Sequence, residues 1–191
     1  MSTDVTTALL SSSGEAERQH LTFVVNGETF AVDTLCVREI IEYGQLTVVP
    51  LMPAFICGVI NLRGAVVPVI DLEARFGGTR TAVTSRTCVV ILETVDDDQP
   101  QVIGVVVDAV SEVLEIPLEH VRPTPAFGSR IRTDFIQGIA KIKDEFVVLL
   151  NVSQVLSISE IAGLVKTPET AMAFGSASAA LVVTFRSHSH V

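Results

Sequence analysis

The chain contains a partial copy of itself, and that repeat restricts the folds open to it more than any other feature. Residues 55–72, FICGVINLRGAVVPVIDL, align without a gap on residues 135–152, FIQGIAKIKDEFVVLLNV, at a shift of 80. Phe, Ile and Gly coincide at the start, and Val67 meets Val147. Other apolar positions pair by type: Val59 with Ile139, Leu62 with Ile142, Val69 with Leu149, Ile70 with Leu150. Arg63 stands opposite Lys143, and Asp71 opposite Asn151. Upstream, residues 30–50 fall on residues 103–123 at a shift of 73, which brings Val37, Glu39 and Pro50 onto Val110, Glu112 and Pro123. The change of shift requires seven extra residues in the second copy, and the stretch TPAFGSR, Thr124 to Arg130, has the composition of that loop.

Each copy reads as short strands. Thirty Val and fourteen Ile stand against sixteen Leu, and β-branched side chains fit a pleated surface better than a helix. Strands are expected at Leu21–Asn26, Thr29–Val32, Arg38–Glu42, Phe55–Leu62 and Val66–Ile70, then at Cys88–Glu93, Val102–Val107, Ser111–Ile116, Phe135–Ile142 and Phe146–Leu150. Asn26-Gly27, Arg63-Gly64 and Lys143-Asp144 sit where hairpins must turn. Short helical pieces, Asp71–Phe76 and Val152–Ser157, close the copies, and Gly77-Gly78 ends the first. A copy of about 55 residues buries too little surface to be stable alone, and five short strands remove their exposed edges by curling up. The expected fold is therefore mainly β, with two similar five-stranded barrels packed around a shared core and a groove where they meet.

Composition limits what such a fold can do. The net charge of −9 over 191 residues supplies no field for a phosphate backbone, and aromatics are only 5% with Tyr43 the single Tyr, so no nucleic-acid partner is expected. The first twenty residues lack the basic and apolar regions of a secretory signal. Ala171–Phe185 is too short and too serine-rich to span a bilayer, so no membrane insertion is expected. Cys36, Cys57 and Cys88 are odd in number and far apart, which suits core residues in a reducing cytoplasm better than disulfides or zinc. Residues 1–18 read as a polar flexible tail, 19–160 as the folded domain, with copies at about 21–80 and 87–157 intertwined at their termini, and 161–191 as an Ala/Ser-rich extension.

A search for chemistry finds no constellation for an enzyme. His20, His120, His188 and His190 have no Cys, Asp or Glu at metal or triad spacing, and no phosphate-binding, zinc-peptidase or nucleophile-elbow motif occurs. Asp96-Asp97-Asp98 reads as a solvated hairpin loop. No cofactor or metal is expected. What distinguishes the copies is Asn61-Leu62-Arg63-Gly64, a turn with an amide, a guanidinium and a residue free to take positive φ, where the second copy has Lys141 to Asp144. Arg63 at such a tip can reach a partner's carboxylate or carbonyls.

The ordered series FAVDTLCVREII, TVVPLMPAFICGVINLRGAVVPVIDL, VIGVVVDAVSEVLEIP, VRPTPAF and FIQGIAKIKDEFVVLLNV resembles the CheW family of bacterial chemotaxis coupling proteins, whose fold recurs as the regulatory domain of the histidine kinase CheA. The likeness runs from about Leu21 to Ser157, and NLRG with the following VPVIDL is its strongest part. It implies a non-catalytic cytoplasmic scaffold, recruited to membrane receptor arrays, that couples the tip of methyl-accepting chemotaxis receptors to CheA. It also implies a receptor surface at Val37, Glu39, Gly58, Asn61, Arg63 and Gly64, with Gly104 and Gly138 across the groove, and a kinase contact through the barrel ends. The alternative within signalling is a coupling protein of a chemotaxis-like pathway that controls surface motility or second-messenger output.

Overall fold

Wherever the sequence alternates or runs apolar between turn signals, the chain is extended. The structure is a computed structural model that describes residues 18–96, 98–125 and 131–157. Most of the polar N-terminal tail, most of the TPAFGSR connection, Asp97, His188, His190 and the C-terminal extension lie outside the described residues. The strands are β1 (Arg18–Val25), β2 (Glu28–Asp33), β3 (Val37–Glu42), β4 (Ile56–Leu62), β5 (Ala65–Asp71), β6 (Cys88–Asp96), β7 (Gln99–Val107), β8 (Ala109–Ile116), β9 (Val121–Arg122), β10 (Ile136–Ile142) and β11 (Glu145–Leu150). Two single-turn helices, α1 (Leu72–Arg75) and α2 (Val152–Val155), follow β5 and β11. The unit β4–β5–α1 thus recurs as β10–β11–α2 with each element starting 80 residues later. All ten expected strands are present, and β9 is an addition. Its counterpart in the first copy is an isolated bridge between Thr47 and Val59.

The three expected hairpin turns all form with both central residues at positive φ: Asn26 +49° and Gly27 +77°, Arg63 +51° and Gly64 +87°, Lys143 +47° and Asp144 +69°. That is the geometry whose twist matches the flanking strands. Asp71 accepts from the Ala74 amide at 3.1 Å and so caps α1, and Asn151 caps α2 in the same way. Asp96 pairs with Gln99 at the end of the β6–β7 hairpin, and Asp98 takes positive φ just before β7.

The strands form a sheet in the order β8-β1-β2-β11-β10-β9 and another in the order β3-β6-β7-β5-β4. Replacing each strand by its counterpart turns one order into the other, apart from β9, but neither sheet is made of one copy. The β1–β2 hairpin of the first copy lies beside β11 of the second, with Phe30 opposite Val148, and β7 of the second lies beside β5 of the first, with Val105 opposite Ile70. Both of these junctions are parallel. The copies have exchanged their first hairpins.

Exchange explains the fully apolar runs. Along β6, Val89 and Ile91 face a cluster with Cys57, Val69 and Val106 that belongs to the five-stranded sheet alone. Val90 and Leu92 face the opposite way, into a larger core that also takes Phe23, Phe30, Phe135 and Leu150 from the other sheet. A third cluster, including Ala31, Ile116, Ala140 and Val147, is enclosed by the six-stranded sheet. Each sheet therefore curls over its own interior and shares the seam with its partner. Burying such side chains on both faces stabilises by about 1.5–3 kcal/mol each, which neither copy achieves without the other.

Candidate functional site

The residues singled out at the first copy's turn converge on one tip. Leu62 pairs with Ala65 at the end of the β4–β5 hairpin. Asn61 Oδ1 accepts from the Gly64 amide at 2.9 Å, closing the turn from its side chain. The Arg63 side chain, 80% exposed, donates to Glu39 Oε2 at 3.0 Å. Glu39 stands on β3, an outer strand of the sheet, beside a bulge that shifts register between Val37 and Glu39. Val37 turns its side chain against the shared core. Exposed ion pairs are worth only about 0–1 kcal/mol, so Glu39 orients Arg63 at little energetic cost to a partner that displaces it. Next along β3, Arg38 pairs with Glu93 at 3.5 Å, both half exposed.

The three other glycines lie inside. Gly58 has φ +149°, and a Cβ there would stand 2.4 Å from the Thr47 carbonyl oxygen. It lets residues 43–53 cross β4, where Thr47 and Val59 exchange two 2.9 Å backbone bonds. Gly138 gives the same clearance to β9, with a Cβ 2.4 Å from Val121 Cγ1 and 3.0 Å from the Arg122 oxygen. Gly104 is on β7, where a Cβ would meet Val89 at 2.8 Å and Val69 at 3.1 Å, within the interior of the sheet that also carries β4. The structure thus brings Glu39, Asn61, Arg63 and Gly64 together and places Gly58, Gly104 and Gly138 as buried clearances beneath neighbouring chain.

Reading the sequence missed two apolar surfaces at the barrel ends. On the first barrel, Val48, Leu51 and Val66 are 75%, 95% and 54% exposed. On the second, a cleft of about 610 Å³ is lined by Pro123, Pro125, Ile139, Phe146 and Val148, with Arg122 at its rim. Phe146, the counterpart of Val66 at the shift of 80, is 68% exposed. The available signal was the proline-bracketed VPLMP and RPTP segments, since apolar residues between prolines in a loop have no core to enter.

The titratable groups among the described residues lie in different surroundings. Cys57 is buried, and burial followed by the Asp71 charge pushes its thiol from 9.0 up to about 11. Asp71 is buried and saturated by Ala74 N, Thr81 N and Thr81 Oγ1. His20 is buried with Nδ1 2.8 Å from the Arg18 oxygen. His120 is exposed beside Glu119. Among the described residues no three His, Cys, Asp or Glu are grouped to hold a metal, and no described helix is long and apolar enough to cross a membrane.

Two strand-exchanged small barrels with a charged tip and apolar ends define an interaction module whose chemistry is recognition. Comparison with known proteins places it within that class. A family model described as CheW-like domain matches residues 19–160. The chemotaxis protein CheW of Klebsiella aerogenes is 34% identical over 145 residues, covering 76% of this chain and 85% of that protein. FrzA of Myxococcus xanthus is 30% identical over 149 residues, covering 77% and 90%. The crystal structure of the scaffolding protein TtCheW from Thermoanaerobacter tengcongensis superposes with a TM-score of 0.64 at 32% identity, covering 71% of this chain and 89% of that one. The chain belongs to the CheW-like family.

Proposed function

We propose that this protein is a non-catalytic chemotaxis adaptor that couples the cytoplasmic tip of methyl-accepting chemotaxis receptors to the regulatory domain of the histidine kinase CheA. The observation that carries the reading is the tip itself: Arg63 is held out at the end of β4–β5 by Glu39, with Asn61 closing the turn beneath it. A helical receptor hairpin offers carboxylates and amides to such a group, and a guanidinium fork binds them with defined geometry. Glu39, Asn61, Arg63 and Gly64 meet the receptor directly, and Val37 contributes to the surface from the core side, at the bulge that sets Glu39. Gly58 and Gly138 act through the neighbouring chain they let approach, and Gly104 through the side-chain packing of Val89 and Val69. The apolar barrel ends, centred on Leu51 and Phe146, are left for the kinase. Such an adaptor works in the cytoplasm and is recruited to receptor arrays by its partners.

Capture with a receptor cytoplasmic domain and with CheA tests this. Wild type is expected to bind both; Arg63→Ala should weaken receptor binding at least about tenfold while leaving CheA capture unchanged, and Lys143→Ala should change neither. Binding to neither partner by the wild type defeats the adaptor reading. Undiminished receptor binding by Arg63→Ala defeats only the site. A second reading, coupling in a chemotaxis-like pathway that controls surface motility or second-messenger output, is consistent with the likeness to FrzA. It is favoured if the receptors captured from the native cell belong to such a pathway.

A further inference from the structure

Arg75 in α1 is only 9% exposed, although its counterpart in α2 is Val155. Its guanidinium carbon lies 4.9 Å from the centroid of the Phe55 ring and 4.8 Å from that of Phe135. Its Nε donates to the Val155 carbonyl at 3.1 Å. Phe55 and Phe135 are themselves counterparts at the shift of 80, so one cation from the first copy sits between two equivalent rings, one from each. Each of the two residues also closes the base of a hairpin. The Phe55 carbonyl accepts from the Asp71 amide at 2.7 Å, and the Phe135 carbonyl from the Asn151 amide at 2.8 Å. The first of these hairpins, β4–β5, carries the Arg63 tip and exposed Val66, and the second, β10–β11, carries exposed Phe146.

We propose that Arg75 is a positioning residue that couples the two partner-facing hairpins, β4–β5 and β10–β11, through their roots. A planar guanidinium stacks on two ring faces at once, which an ammonium or an aliphatic side chain does not do. Because both rings attract one group, a displacement of either root changes the position of the cation for the other. Arg132, 4.7 Å from the Phe135 centroid with its guanidinium paired to Asp134, touches the second root and is the control.

A thermodynamic cycle reads the coupling without any partner. Phe55→Leu and Phe135→Leu are made singly and together, in the wild-type and Arg75→Met backgrounds. With Arg75 present, the double variant's unfolding equilibrium constant should depart from the product of the single effects by about threefold or more, and in Arg75→Met the departure should vanish. Arg132→Met should leave it intact. Additive effects with Arg75 in place overturn the proposal, as does non-additivity that survives its removal. If Arg75→Met fails to fold, Arg75→Lys takes its place with the same criteria, since it keeps the charge and loses the plane. Amide resonances of residues 133–136 should move on Phe55→Leu only when Arg75 is present, a response that a merely stabilising residue would not produce. A second arm rests on the adaptor reading: occupancy of one barrel end should change affinity at the other in the wild type but not in Arg75→Met, with each separate affinity unchanged. Absence of any binding by the wild type would count against the adaptor and leave the cycle's result standing.

Discussion

The turns Asn61–Gly64 and Lys141–Asp144 share a backbone and differ in everything attached to it. Both have two central residues at positive φ, in hairpins 80 residues apart. In the second, Lys141 pairs locally with Asp144 at 3.0 Å. In the first, Asn61 binds the turn itself, and Arg63 reaches across to Glu39 on another strand. The shape of a duplicated hairpin is set by the twist of its strands, while its surface chemistry is free to diverge because no core depends on it. The same contrast holds a turn deeper. Asp71 caps its helix and also pins Thr81 through two further bonds, tying down the connection to β6; among the described residues the Asn151 side chain makes the cap alone.

The comparison is broken most severely by cutting between the copies. A fragment of residues 19–80 retains β1–β5 but loses β8 and β11 beside the first hairpin and β7 beside β5. It should be unfolded by circular dichroism and protease-sensitive, while the whole chain melts in one cooperative transition. A cooperatively melting fragment would show that the copy, and not the sheet, is the folding unit.

A smaller effect separates the paired glycines. Gly58→Ala sets a Cβ against a backbone oxygen at a φ of +149°, whereas Gly138→Ala meets first a valine methyl that is able to rotate away. Denaturant titration should give a loss of about 3 kcal/mol for the first and about 1 kcal/mol for the second. Equal losses would mean that the two crossings are constrained alike.

The least effect is at the bulge residues Cys57, buried, and its exposed counterpart Gln137. The Cys57 thiol is raised to about 11 by burial and then by Asp71. An unfolded chain ionises this group near 9.0, so the folded state holds the proton longer. The associated stability is complete below pH 9 and lost as pH rises through 11, on the order of 1 kcal/mol after allowance for solvent screening. The difference between wild type and Cys57→Ala should therefore shrink or reverse over that window. A constant difference would remove the pKa argument.

Strands, turns and caps were legible because their causes are local. Alternating or fully apolar runs selected the ten principal strands, and the need for positive φ selected Asn26-Gly27, Arg63-Gly64 and Lys143-Asp144. The tip was legible in part. Its turn broke the repeat at Arg63, but the Arg63–Glu39 pair spans 24 positions and has no spacing signal. Gly104 and Gly138 read equally well as surface or as clearance, since a glycine in a strand reports that something comes close without saying what. The exposure of Leu51 and Phe146 is not legible in composition, which does not distinguish a core residue from an exposed one.

By itself the sequence determined that the chain is mainly β, that it is doubled, and where the ten principal strands lie and the hairpins turn, because hydrophobic period and backbone sterics act over a few residues. Only the tertiary structure decided that the copies exchange hairpins, that Arg75 stands between Phe55 and Phe135, and which apolar residues stay outside. Parallel junctions such as β2–β11 and β5–β7 are closed by no turn and leave no local pattern. Their choice depends on which arrangement buries both faces of strands such as β6, a sum over the whole chain.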